Sequence, residues 1–180
     1  MLLEAARSVL LVVDVQERLV PAVAESQAVV RRIATLLRAA GPVGVPAFAT
    51  EHYPSGIGPT VPELRGFLAE GTRLEKIHFS AAREPGLVGR VTAGGRDQVV
   101  VCGMETHVCV LQTVLGLRQA GVGCWLVADA VGSRRALDRE LAIERMRGHG
   151  VEIVTAEMVM FEWLHRGGTA LFREVLPLIR

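Results

Sequence analysis

Lysine is almost missing from this chain: of 20 Lys and Arg residues, only Lys76 is lysine. Aromatic residues make up 4%, too few for the stacking platforms on which proteins read single-stranded RNA. Neither sign of charge accumulates. The net charge is +1 over 180 residues, with the charges scattered, which argues against a nucleic-acid groove or a membrane-facing surface. No apolar run reaches the ~18 residues of a membrane helix. The run in MLLEAARSVLLVVD stops at Asp14 and lacks the basic segment that opens a signal peptide. Cysteine is scarce too. Cys102, Cys109 and Cys124 form no CxxC pair, and an odd count fits a reducing compartment. Neither GxGxxG nor GxxxxGK[ST] occurs, so no nucleotide cofactor is expected. The spacing of His52, His78 and His107 matches no zinc pattern, so no metal is expected either. These absences leave a soluble, cytoplasmic protein whose partner is a small molecule.

Half of the residues are apolar, enough to bury a substantial core in one domain spanning residues 1–180. Short apolar, β-branched runs alternate with segments of helical spacing. Strands are expected at Val9–Val13, Val45–Thr50, Arg73–Ile77, Val99–Cys102, Val122–Ala128 and Val151–Thr155. Helices are expected at Ala28–Ala40, Glu63–Glu70, Leu87–Gly94, Val108–Ala120, Asp138–Gly148, Glu157–Leu164 and Thr169–Leu176. Most strands are apolar on both faces, which is the pattern of a mostly parallel sheet covered by helices on both sides. Glu51–Pro62, rich in Pro and Gly, reads as a long loop of the kind that carries function.

The chemistry concentrates in Val99–Thr113, VVVCGMETHVCVLQT. A buried strand ends at Gly103, and the helical spacing that starts at Val108 puts Cys109 in the first turn of a helix. In open α/β sheets, ligand crevices lie outside the carboxyl ends of the strands. The partial positive charge of a helix start lowers a thiol's pKa and holds an oxyanion. Glu105 and Thr106 are candidate caps for that start. Cys109 is therefore a candidate nucleophile, whereas Cys102 and Cys124 lie inside strands and read as core. Asp14 follows a buried strand directly, where a carboxylate beside a thiol can act as general base and then acid. Lys76 lies in an otherwise apolar strand, and an inward lysine there needs an anionic partner. Its compact ammonium suits a small site in a way arginine does not.

Taken together, Asp14-Val-Gln16, Lys76 in EKIHFSA, and Gly103-Met-Glu-Thr-His-Val-Cys109-Val resemble the three signature segments of the isochorismatase-like cysteine hydrolases. TEHYPSGIGPTVPEL (Thr50–Leu64), VADAVGSR (Val127–Arg134) and Glu144–Met146 are most similar to the branch of isochorismatase domain-containing proteins. The resemblance implies an α/β/α three-layer sandwich around a six-stranded, mostly parallel, Rossmann-like sheet. It implies a triad of Asp14, Lys76 and Cys109, a cis peptide between Met104 and Glu105, and an oxyanion hole made by the N–H groups of Glu105 and Cys109. The stretch Glu51-His52-Tyr53-Pro54 lacks the Asp-x-His pattern of metal-holding nicotinamidases in the superfamily. Pocket walls are expected from Gln16, Leu19, His52, Tyr53, Phe79, Thr106 and His107.

The presence of Cys109 favours hydrolysis of a small-molecule amide through a thioester. Two other readings stand beside it: vinyl-ether hydrolysis with Asp14 as acid, and a non-catalytic interaction protein that keeps the fold. The resemblance also implies a homo-oligomer, and the apolar bulk of Val159, Met160, Phe161, Trp163, Leu164, Leu171, Phe172 and Leu176 is the sequence feature that fits one.

Overall fold

The computed structural model describes residues 1–179. Six strands form a single sheet: β1 (Ser8–Val13), β2 (Ala47–His52), β3 (Arg73–Lys76), β4 (Gln98–Met104), β5 (Gly123–Gly132) and β6 (Glu152–Val154). Their spatial order is β3-β2-β1-β4-β5-β6, and every neighbouring pair is parallel. The helices are α1 (Ser26–Ala40), the short α2 (Pro54–Ile57) and α3 (Pro62–Arg65), α4 (Leu87–Val91), α5 (Leu111–Gln119), α6 (Ala136–Gly148), α7 (Ala156–Leu164) and α8 (Ala170–Ile179).

The central strands β1 and β4 are buried along their whole length because both faces are covered, whereas in the edge strand β3 only Leu74 and Lys76 are buried. In β1, Leu10 and Val12 pack into a core shared with α1, α7 and α8, while Val9, Leu11 and Val13 pack into a second core shared with α4, α5 and α6. In α1, Val29, Ile33, Leu36 and Leu37 recur at helical spacing and all face the first core. The C-terminal bulk is mostly used inside the chain. Val159, Met160, Trp163 and Leu164 belong to that same core, and Leu171 and Phe172 pack against it. Of this group, Phe161 remains among the exposed large apolar residues, its ring 6.5 Å from that of Phe172.

Three boundaries differ from expectation for identifiable reasons. β5 runs on past Asp129 to Gly132, because its register against β4 shifts between Val101 and Gly103 and lets Val127–Ala130 bulge. The bulge turns the Asp129 carboxylate toward Arg32 at 3.1 Å and lets it accept the Ala156 N–H at 2.8 Å. α4 stops at Val91, before the left-handed Gly94 and Gly95. The stretch expected to be a loop after β2 includes part of β2 itself and the turn α2. It is pinned by a bridge between Gln16 and Thr60 and by Glu51, whose carboxylate accepts the Thr60 N–H and hydroxyl at 2.8 and 2.7 Å.

The chain travels outward from β1 to β3 and then returns to start β4 on the other side of β1. A doubly wound sheet opens a crevice at such a reversal, outside the carboxyl ends of the two strands. β1 and β4 approach closely there. Gly103 pairs with Val13 and has a φ of 124°. A Cβ at this position would run into the Val13 main chain, so only glycine fits. Among the described residues, no helix is long and apolar enough to cross a membrane.

Candidate functional site

Asp14 is the residue that follows β1. Its φ of 51° is in the left-handed region, a conformation that persists in non-glycine residues only where surrounding structure imposes it. Two contacts from β2 impose it here: the Asp14 N–H donates to the Thr50 carbonyl at 3.1 Å, and the Thr50 hydroxyl donates to Asp14 Oδ1 at 2.6 Å. Lys76 closes β3 with its side chain turned inward. Its Nζ lies 2.6 Å from Asp14 Oδ2, and both side chains are 0% exposed. The ammonium also donates to the carbonyls of His78 and Phe79 at 3.1 and 3.2 Å. A buried ammonium is tolerable only with such partners, and here it has three, one after β1 and two in the connection that follows β3.

Cys109 reaches the same point from β4. After Met104, the backbone makes a π-helical turn over Thr106–Val110 and then continues as α5. The Cys109 thiol lies near enough to Asp14 and Lys76 to feel both charges, and the residue keeps 7% of its surface accessible, whereas Cys102 is at 0%. The expectation of a lowered thiol pKa is corrected. Burial first, and then the Asp14 charge, push the Cys109 thiol up to about 12, with Lys76 opposing them without prevailing. The turn begins at Thr106, two residues before the start expected from the periodicity, and Cys109 is its fourth residue. Near neutral pH the resting group is thus a thiol, with a carboxylate nearby.

The Met104–Glu105 peptide is cis. Glu105 precedes the π turn, and its carbonyl accepts the N–H groups of Val108 and Val110 at 3.1 and 3.2 Å. Its side chain does not cap that turn, contrary to expectation. The carboxylate instead accepts two bonds from the Arg134 guanidinium, at 2.9 and 3.0 Å, and one from the Arg134 N–H at 3.2 Å. Thr106 does not cap it either, and its hydroxyl is buried without a hydrogen-bond partner in the structure.

The expected pocket wall divides. His52 ends β2, and its ring stacks on Phe79 with centroids 5.3 Å apart. Burial and then the Lys76 charge lower the His52 pKa, which favours a neutral imidazole. Phe79 and Tyr53 are half exposed. Tyr53 lines a cavity of about 580 Å³ with Pro54, Lys76, Ile77 and Glu84. Gln16 is corrected to a structural role. Its amide donates to the carbonyls of His52 and Gly58 and accepts the His52 N–H, so it ties the β2–α3 connection down and is fully buried. Leu19 packs against the core on the α1 side. His107 places Nδ1 3.0 Å from the Ser133 hydroxyl and Nε2 4.0 Å from Asp138, a tie to the β5–α6 connection. Ser133, Arg134 and Thr50 went unassigned in the sequence. Ser133 and Arg134 do lie inside the VADAVGSR segment that carries the resemblance. Among the described residues, no group of three or more His, Cys, Asp or Glu is placed to hold a metal ion.

An all-parallel doubly wound sheet whose reversal point gathers an acid, an ammonium and a thiol defines a class: α/β proteins of the isochorismatase-like hydrolase fold. The chain belongs to the isochorismatase family, whose domain matches residues 8–158. It is 37% identical over 173 residues to isochorismatase domain-containing protein 2 of Danio rerio, covering 96% of this chain and 86% of the relative. Among solved structures, the MAR1 ribonuclease from Caenorhabditis elegans superposes with a TM-score of 0.92 at 33% identity, covering 99% of this chain and 92% of that one. The YcaC gene product of Escherichia coli, described as an octameric hydrolase of unknown specificity, superposes with a TM-score of 0.88 at 26% identity, covering 98% and 92%.

Proposed function

We propose that this protein is a cysteine-dependent hydrolase that cleaves the C–N bond of a small-molecule amide through a thioester. The observation that carries the reading is a fully buried carboxylate–ammonium pair, 2.6 Å apart, at the reversal point of the sheet, with a thiol near enough to feel both charges. In the reading, Cys109 Sγ attacks the amide carbonyl carbon while its proton passes to Asp14. The carbonyl electron pair moves onto oxygen, and the N–H groups of Glu105 and Cys109 hold the oxyanion; each such donor is worth about 3 kcal/mol of barrier. The C–N bond then breaks, and the leaving amine takes the proton from Asp14. Water attacks the thioester as Asp14 accepts one of its protons. The S–C bond breaks, the thiol regains the proton, and a carboxylic acid leaves. Lys76 keeps the Asp14 carboxylate oriented and compensates its charge where both side chains are shielded from bulk solvent. The slight exposure of Cys109, beside the half-exposed Phe79 and Tyr53 and the stacked His52, suits a small, flat, partly apolar amide.

Cys109→Ala tests the reading directly. Turnover of any amide found for this protein should fall by roughly 1,000-fold or more, because the covalent route is gone. In the wild type, iodoacetamide should label Cys109 ahead of Cys102 and Cys124, as read by peptide mass spectrometry. Amide turnover unchanged in the alanine variant would reject the thioester route, retained hydrolysis of a vinyl ether by that variant would point to Asp14 acting as acid, and equal labelling of all three thiols would remove the nucleophile. The C. elegans neighbour is described as a ribonuclease. The net charge of +1 and the 4% aromatic content of this chain favour a small-molecule substrate over RNA.

Self-association belongs to the same reading. Leu137 and Leu141, one turn apart on α6, are 64% and 54% exposed, the kind of apolar face that a second copy covers. Sedimentation of the intact chain should show an oligomer, and Leu137→Lys with Leu141→Lys should shift it toward the monomer. A wild-type monomer at micromolar concentration would reject this.

A further inference from the structure

The β5–α6 connection sends two side chains back to the turn that carries Cys109. Ser133 meets His107 at 3.0 Å. Arg134 meets Glu105 with a two-pronged grip, Nε to Oε1 at 2.9 Å and Nη2 to Oε2 at 3.0 Å, reinforced by its own N–H at 3.2 Å. The two ties fall on either side of Thr106. The burial of the pair is lopsided: the Glu105 side chain is 6% exposed and that of Arg134 is 61% exposed. An ion pair with one partner mostly in water adds little stability, so stability is a poor reason for it. Its geometry is a better one. A planar fork on a carboxylate fixes the carboxylate plane as well as its distance. Glu105 has, in turn, little freedom left in its main chain, because its carbonyl holds the N–H groups of Val108 and Val110. Fixing the side chain from outside therefore fixes the peptide group that enters the Cys109 turn.

We propose that Arg134 is a positioning residue for the oxyanion site: by gripping the Glu105 carboxylate it sets where the Glu105 N–H stands relative to the Cys109 sulfur. This rests on the reading of Cys109 as the nucleophile. It also explains why a carboxylate at the start of a turn does not cap that turn.

Two probes separate the oxyanion site from the thiol. Propionaldehyde adds reversibly to a thiol: the S–C bond forms, the carbonyl electron pair moves to oxygen, and the thiol proton passes through Asp14 to that oxygen, with nothing leaving. The new oxygen occupies the oxyanion position. Iodoacetamide alkylates the same sulfur with loss of iodide and creates no oxygen there. In Arg134→Ala, the dissociation constant of the aldehyde adduct, followed by NMR of carbonyl-labelled propionaldehyde, should rise by about 10-fold or more, while alkylation of Cys109 stays within about twofold. Glu105→Gln should move the same way, and the double variant should be no worse than the stronger single one. Should Arg134→Ala fail to fold, Arg134→Lys, which keeps the charge and loses the fork, carries the test with a smaller rise.

An unchanged adduct affinity, additive single variants, or parallel losses in adduct and alkylation would each overturn the positioning role. So would a wild type that alkylates selectively at Cys109 yet binds no aldehyde. Equal alkylation of the three cysteines in the wild type would remove the nucleophile itself, and the proposal with it.

Discussion

Asp14→Asn should make Cys109 a faster target for iodoacetamide and a far worse catalyst. The two effects separate because Asp14 acts on the thiol in two ways. Its charge holds the thiol pKa up, against Lys76, which pulls it down. Removing the charge while keeping the shape leaves the buried ammonium facing the sulfur, so the thiol pKa falls below its native value of about 12. Alkylation at pH 7 should therefore rise, by roughly 10-fold for each unit the pKa drops. The amide reaction also needs a proton delivered to the leaving amine and taken from water, and asparagine does neither. Turnover should fall by about 100- to 10,000-fold. In the wild type, alkylation of Cys109 should keep rising with pH through the alkaline range, as expected for a thiol pushed up to about 12. The measurement is the rate of mass gain on the Cys109 peptide against pH for both proteins. A slower alkylation in Asp14→Asn would show that the carboxylate serves as the base in simple alkylation too.

Lys76→Met should have the largest effect on stability. The methionine matches the volume of the aliphatic stem but leaves the Asp14 carboxylate fully buried without its ammonium. Breaking a buried pair from one side costs about 3–5 kcal/mol, a large share of the stability of a domain this size. Chemical denaturation should show a lower midpoint with little change in slope. Alkylation of Cys109 should slow, the reverse of Asp14→Asn, because the one charge that lowers the thiol pKa is gone. The opposite signs of the two variants on one sulfur are the sharpest check on the placement of all three groups. A Lys76→Met protein as stable as the wild type would mean that the pair is not closed to water.

What was legible in the sequence depended on whether a residue's partners were near it in the chain. The central strands were legible because burial on both faces makes β1 and most of β4 a continuous apolar run. Asp14 and Lys76 stood out because each is a charged residue at or near a strand end, and Cys109 because it stands at a helix start just beyond a buried strand. β5 was cut short at Asp129 because a carboxylate within a central strand looks like a terminator, and the partners that accommodate it, Arg32 and Ala156, lie far away in sequence. Gln16 looked like a ligand group for the same reason, since its three hydrogen bonds go to the segment His52–Gly58. The thiol pKa was misread because the helix-start rule is local, whereas burial and the Asp14 charge are products of the assembled fold. Arg134 gave no signal, being one arginine among many in a chain that uses arginine almost exclusively.

That usage has a practical consequence. An acylating reagent that meets the folded protein finds no side-chain amine, because the single ε-amino group is covered on every side. Each opening of the β3 edge uncovers one. The extent of acylation at Lys76 thus works as a clock for local opening around the acid, read on a single peptide without any introduced label.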